Sequence, residues 1–446
     1  MNKNIILGSL GLLALTSFGA NAQTLQNNGQ HIYVSDQAIL HVNGDLSNTG
    51  TIENKTGDIK EGGNMTVVGD FSNQNQYSSE LGNLIVSGSV VNAPTAKIVN
   101  DHENGQIVVA GDWLNQGGYE GEGWIELNGD DQLVSNSGID IAQLQTSGAG
   151  NKNIEGDLRI TRTFQLDAGV FFTGESNKMI LGIDSEVIES LDGTSFVDGK
   201  LYHEIRTEEM YFPLGKNGRY LPASTIEVTG STGTLLALEA FDSNPDPKNG
   251  LNIDDVVETS RWEKTVEGKL ESGKITISFS SEEGMTNPKG LKGIVVAEAR
   301  EVGTEFRSMG YSVQAEDLYE SFVTSAKHFD TELAFNVYAV GLDYSDKDPF
   351  YIPNALTPLA NDSEDQSARI YSQFMTEKEF SFIVYDRWGN KVFESNSIEY
   401  MRNTGWKGEN QATKSDALAD TYDYVLIGEL ENGRQISGKG VITVLR

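Results

Sequence analysis

A short kernel repeated about every 22 residues between residues 31 and 160 constrains this chain more than any other feature. An apolar pair is followed by glycine, usually aspartate, and another apolar residue. It occurs as HVNGDLSN (Gly44), TVVGDFSN (Gly69), IVSGSVVN (Gly88), VVAGDWLN (Gly111), ELNGDDQLVSN (Gly129) and NIEGDLRI (Gly156), so successive glycines are 25, 19, 23, 18 and 27 residues apart. Self-similarity at such a period marks a solenoid, because one unit cannot bury its apolar face alone and must stack on the next. The units alternate with period two and carry Gly-Asp and Asn-Gly turn signals, which predicts short strands. We expect a parallel β-solenoid over residues 23–190, one coil per unit; a run of antiparallel hairpins is the competing architecture. Asp45, Asp70, Asp112, Asp130 and Asp157 read as turn residues whose carboxylates satisfy their own backbone. Trp113 shares its kernel position with Leu46 and Phe71, which places it inside.

From about Phe196 the alternating runs lengthen. LLALEAF, GKITISFS, GIVVAEAR and FNVYAVG recur at the spacing of a β-sandwich, expected over residues 196–342. SDKDP reads as a linker, and residues 349–446 as a further all-β unit of immunoglobulin-like sandwich type.

Residues 1–22 read as an export leader. Lys3 opens it, an apolar stretch from Ile5 to Phe18 follows, and Ala20-Asn21-Ala22 offers a small-x-small cleavage site. No later segment has the 18 or more apolar residues of a membrane-spanning helix. The chain has no cysteine, which rules out disulfides and a lipid-modified cysteine at the cleavage site. Its 65 acidic and 33 basic residues leave a net charge of −32, which disfavours nucleic acid and anionic lipid as partners.

Signals for catalysis are sparse. Between Gln23 and Leu158 the bases are Lys55, Lys60, Lys97 and Lys152, with no arginine, which argues against a β-elimination lyase. A glycoside hydrolase would need two carboxylates converging on one bond. His31, His41, His102, His203 and His328 are scattered, no Gly-x-Ser-x-Gly elbow occurs, and no zinc-ligand pair is present. Calcium is the one cofactor left open. DSNPDPKNG sets Asp242, Asn244 and Asp246 at alternate positions, but Pro247 stands where such loops need glycine and Ile253 where they need glutamate. Trp113, Tyr119 and Trp124 could stack on sugars or fill the solenoid core.

Near the C-terminus, SFIVYDRWGNKVFES predicts a hairpin with Gly389-Asn390 at its turn. Alternation accounts for the strands but not for the crowding of Asp386, Arg387 and Trp388 at the tip. YIPNALTP (351–358), FIVYDRWGNKVFES (382–395), GWKGE (405–409), LADTYDYVLIG (418–428) and GKGVITVLR (438–446) follow in order. Together they resemble the gliding-motility-associated C-terminal domain, the type B sorting domain of the type IX secretion system. The sequence departs from that family at LANDSEDQ (359–366), where a glycine-rich Asn-Gly-Asp-Gly loop is usual.

The resemblance implies passage through the type IX translocon and engagement of a PorP/SprF-type outer-membrane barrel. It places a sorting surface at Asp386, Arg387, Trp388, Gly389, Trp406, Gly408, Tyr424, Gly440 and Arg446. Arginine and tryptophan are frequent in binding hot spots; the competing reading packs Trp388 against Trp406 beneath the turns. The expectation is a non-enzymatic, exported cell-surface protein, adhesin-like or gliding-associated, with surface polysaccharide or other motility proteins as further partners. The alternative is a secreted β-helix hydrolase acting on polysaccharide, whose sign would be two acids converging in a cleft on the solenoid.

Overall fold

The computed structural model describes residues 5–7, 12–15, 24–35, 37–56, 62–189, 193–250, 253, 255–279, 294–311, 313–316, 321–329, 331–333, 335–342, 350–358, 366–372, 375–430 and 435–446. For 5–7, 12–15, 313–316 and 335 it describes the backbone alone. The chain is almost entirely β and divides into two compact units. One comprises Met1–Ser243, Ser260–Gly273 and Thr331–Phe335; the other comprises Asn244–Thr259, Lys274–Asp330 and Asn336–Arg446. The segment 196–342 is therefore shared between them. The linker SDKDP, most of the loop 359–366 and the site Ala20-Asn21-Ala22 lie outside the described residues.

The first unit is a β-solenoid of about nine turns. Each early coil visits three sheets in turn, as in Asp45–Asn48, Thr51–Asn54 and Asn64–Val67, and each strand pairs in parallel with its equivalent one coil on. This parallel pairing excludes the hairpin alternative. It continues past residue 190 to Val197 against Leu214, so Phe196–Asp198 belongs to the stack. Beyond it, Leu201–Glu204 pairs antiparallel with Leu235–Phe241, which pairs antiparallel with Arg261–Glu267.

Period-two alternation becomes columns of like residues inside the coil. Leu40, Met65, Leu84, Ile107, Ile125, Leu144 and Phe164 stand in register, all buried. Leu46, Phe71, Val90, Trp113 and Val134 form a second column, which puts Trp113 inside as its kernel position predicts. Tyr119 is also internal, edge-on to Trp113 at 5.8 Å.

The kernel aspartates do not serve their own turns. Asp45 Oδ1 accepts from the N–H of Asp70 (3.0 Å), Asp70 Oδ1 from that of Ser89 (2.7 Å), Asp112 Oδ1 from that of Leu133 (2.8 Å) and Asp157 Oδ1 from that of Lys178 (2.9 Å). Each carboxylate thus fastens its coil to the next. Where Gly129 is followed by two aspartates, Asp131 takes this role with Asn151 N–H (2.8 Å) and Asp130 does not. The distance between coils explains the departure: strands stack roughly 4.8 Å apart, within reach of a short acidic side chain. It also explains the glycines. A Cβ at Gly69 would lie 2.1 Å from Asp45 Oδ1, and one at Gly129 would lie 1.8 Å from Ala110 O.

The asparagine that closes the kernel builds a second ladder, inside the coil. Nδ2 of each residue donates to Oδ1 of the next through Asn27, Asn48, Asn73, Asn92, Asn115 and Asn136, at 2.7–2.8 Å. Spare N–H groups reach backbone carbonyls such as Gln76 O and Lys97 O, so these buried amides are paired on both sides. Lys152 is wholly buried, and its ammonium lies 2.6–3.1 Å from the carbonyl oxygens of Gly129, Asp130, Gly148 and Ala149.

In the second unit, Ile294–Ala299 pairs antiparallel with Phe335–Leu342 and with Glu305–Ser308. The C-terminal domain is a five-stranded sheet in the order Ala355–Leu356, Gln435–Val444, Thr421–Glu429, Ser381–Tyr385, Lys391–Ser395. The first pair is parallel and the others antiparallel. Helix Ile398–Asn403 is capped by Ser397, and Glu377 accepts from the N–H groups of Ile398 and Glu399. The core includes Phe382, Val384, Phe393, Met401, Trp406, Tyr422, Leu426 and Ile442.

Candidate functional site

The hairpin between Ser381–Tyr385 and Lys391–Ser395 is locked by Asp386. Its Oδ1 accepts from the N–H of Trp388 and of Asn390 (2.9 Å each), and its Oδ2 from the Asn390 amide (3.0 Å). The Asn390 amide, aided by these N–H groups and by Arg387, holds the Asp386 carboxyl below its ordinary range. Gly389 supplies a φ of +81° at the turn, where nothing lies within contact of an added Cβ. Asp386 and Gly389 therefore shape the tip.

The tip presents the other two residues. Trp388 is 72% exposed, and the Arg387 guanidinium lies 5.0 Å from its ring centroid. Arg387 also pairs with Asp420, just before the strand Thr421–Glu429. Trp406 goes the opposite way. It is fully buried, donates from Nε1 to Glu409 O (2.9 Å) and meets the Tyr422 ring edge-on at 5.2 Å. The two tryptophans have separate surroundings, contrary to the reading that packed them together.

Gly408, with φ +72°, leaves room for Leu356, Pro358 and Val444; a Cβ there would lie 3.2–3.5 Å from all three. Gly440 faces Tyr424 across the sheet, and the Tyr424 ring also tilts against Phe382 at 5.6 Å. Burial raises the Tyr424 hydroxyl above its ordinary pKa. Arg446 reaches back, donating from Nη1 to Asp416 (2.7 Å) and from Nη2 to Gly408 O (3.2 Å). It ties the last residue to the turn that also holds Gly408.

These contacts gather one end of the sheet. The hairpin tip is joined to Asp420, Asp420 O accepts from Val444 N–H, and Leu445 N–H donates to Leu356 O. At that end Trp388, Leu418 (71%) and Leu445 (50%) are exposed apolar side chains among Asp386, Arg387, Asp416 and Arg446. Asp416, Leu418 and Asp420 were not foreseen. Alternation cannot tell an exposed leucine in a turn from a core residue, and no spacing rule links Arg387 to an acid 33 positions on.

The proposed calcium ligands are placed apart in role. Asp242 accepts from the Asn217 amide (2.9 Å). Asn244 is buried and donates to Val257 O (2.9 Å), and Asp246 is exposed with φ +50°. Among the described residues no three acidic or histidine side chains gather as a metal site.

The fold and this end surface define a β-solenoid protein whose C-terminal β-sheet has a core of its own. Residues 350–444 match the family described as CHU_C Type IX secretion signal domain. This agrees with the resemblance read from the five motifs, and it marks the chain for export by type IX secretion to the cell surface or extracellular space. No curated protein and no solved structure matches the chain.

Proposed function

We propose that this is a non-enzymatic, adhesin-like surface protein of a gliding bacterium, in which the solenoid is the delivered part and the C-terminal domain the address. The observation that carries this reading is the secretion-signal match over residues 350–444. In this reading residues 1–22 direct passage across the inner membrane and are removed. The end surface bearing Arg387, Trp388 and Leu418 then engages an outer-membrane barrel of the PorP/SprF type. The pairing of an exposed tryptophan with a stacked arginine supports that assignment, since such residues dominate interface energetics. The test is protease accessibility on intact cells, comparing the full chain with one ending before Phe350. Only the full chain is expected to be cut from outside; equal cleavage of both would overturn the address.

A second reading, a polysaccharide hydrolase, is favoured by one observation. On the last solenoid coils Asp198 and Glu239 lie 2.8 and 3.9 Å from Lys216 Nζ, beside a cleft of about 430 Å³. Burial raises the Glu239 carboxyl, as a general acid requires. Against hydrolysis, Asp198 has no free oxygen: Oδ1 accepts from Lys216 and Oδ2 from Asn217 N–H (3.3 Å). A carboxylate held this way is a poor nucleophile or base. Release of reducing ends from a polysaccharide by the purified protein, abolished in Glu239→Gln, would reverse this preference.

A further inference from the structure

We infer that the cleft on the last solenoid coils is a binding site for a neutral saccharide. Its volume, about 430 Å³, falls in the range of small-molecule sites, about 300–1,000 Å³. Its floor is prearranged by the Asp198–Lys216 ion pair, with Asp198 almost wholly buried. One face of the Phe241 ring is covered by the Arg261 guanidinium at 3.9 Å, whereas Phe172 is half-exposed and lines the cleft as an apolar wall.

Three polar side chains on the lining are free to hydrogen-bond, although the Lys200 charge also acts on Glu239. Glu175, Ser176 and Lys200 form no hydrogen bond or ion pair within the described residues. They offer an acceptor, a hydroxyl and a donor beside an apolar ring. A sugar presents the complement, hydroxyls that both donate and accept around an apolar face. The charges that line the cleft balance, Lys178, Lys200 and Lys216 against Glu175, Asp198 and Glu239, so a charged ligand has no net counter-charge here. The surrounding chain, at −32, disfavours an acidic one.

This deepens the surface-protein reading by naming what the delivered part would hold. Its test uses purified full-length protein, so its outcome is separate from that of export. Calorimetric titration with maltotriose and cellotriose is compared with trigalacturonate, an acidic trisaccharide. At least one neutral trisaccharide is expected to bind at millimolar concentration or below, and at least tenfold more tightly than the acidic one. Lys200→Gln and Phe172→Ala should each weaken it about tenfold, the scale of one lost charge-assisted bond or ring contact. Lys97→Gln, elsewhere on the solenoid, should leave it unchanged. Circular dichroism of each variant separates lost binding from lost folding. Absence of binding by both neutral probes, equal or tighter binding of trigalacturonate, or undiminished binding in folded Lys200→Gln would overturn the inference.

Discussion

Tyr424 lies across the sheet from Gly440, and a Cβ on that glycine would sit 2.7 Å from the tyrosine Oη. The missing side chain is the space the ring occupies. Gly440→Ala is expected to push the ring from Phe382 and to destabilise the C-terminal domain by about 1–3 kcal/mol, the range of overpacking. The same change should cost less in a Tyr424→Leu background, because the two sites share one volume. Denaturant unfolding of the four proteins in this cycle checks it; additive effects would show that the ring and the glycine are independent.

The two tryptophans should respond oppositely. Trp406→Ala removes a fully buried indole and is expected to cost about 3–5 kcal/mol. Trp388→Ala removes a side chain that is mostly in water and should change stability by less than about 0.5 kcal/mol. If the hairpin tip meets the export machinery, Trp388→Ala will nonetheless reduce surface display of a normally stable protein, measured by antibody labelling of intact cells.

Asn92→Ala breaks the internal ladder in the middle. It takes one hydrogen bond from the buried Asn73 Nδ2, which keeps Lys97 O, and one from the buried Asn115 Oδ1, which keeps the Gly117 N–H. Three hydrogen bonds are lost, the third from Asn92 Nδ2 to Gly118 O, and at about 0.5–1.5 kcal/mol net each a loss of about 2–4 kcal/mol is expected. Hydrogen exchange should speed up first in the strands around residues 73, 92 and 115; protection lost uniformly across the chain would contradict a local role.

His203 makes the first unit sensitive to acid. Its Nε2 lies 2.9 Å from Tyr211 O, its buried Nδ1 has no partner among the described residues, and burial pushes its pKa down to about 3. The folded state thus keeps the imidazole neutral while the unfolded chain binds a proton below about pH 6.5. Stability is full above that pH and falls by about 1.4 kcal/mol per unit between about pH 6.5 and 3. His203→Leu should flatten this slope in chemical denaturation measured at pH 7, 6 and 5.

Much of the solenoid was legible because its physics is local and repeated. A glycine every 22 residues or so and strict alternation around it were enough to place Leu46, Phe71 and Trp113 in one column. The cross-coil bonds were harder to read. Asp45 and Asp70 have the composition of turn residues, and the acceptor's true partner, one coil away, is invisible to reasoning confined to neighbours. Asn48, Asn73, Asn92 and Asn115 stand at the same offset in their units, a signal that was present but is easily read as loop polarity. In the C-terminal domain the hairpin pattern placed Gly389 at the turn with Asp386, Arg387 and Trp388 beside it, whereas Gly408 and Gly440 came from the family resemblance. The opposite fates of Trp388 and Trp406 did not, because both are tryptophans near a turn and only tertiary packing separates them.

From Asn27 to Asn136 the asparagine ladder bonds each coil to the next through the same atoms. Duplication of one unit in the gene would insert a coil that finds its donors and acceptors already waiting on both sides. Each such event would lengthen the stack by roughly 4.8 Å and leave its cross-section unchanged. Length in this protein is therefore a trait that evolution can adjust in whole steps, by copy number, while the address at the far end of the chain is inherited untouched.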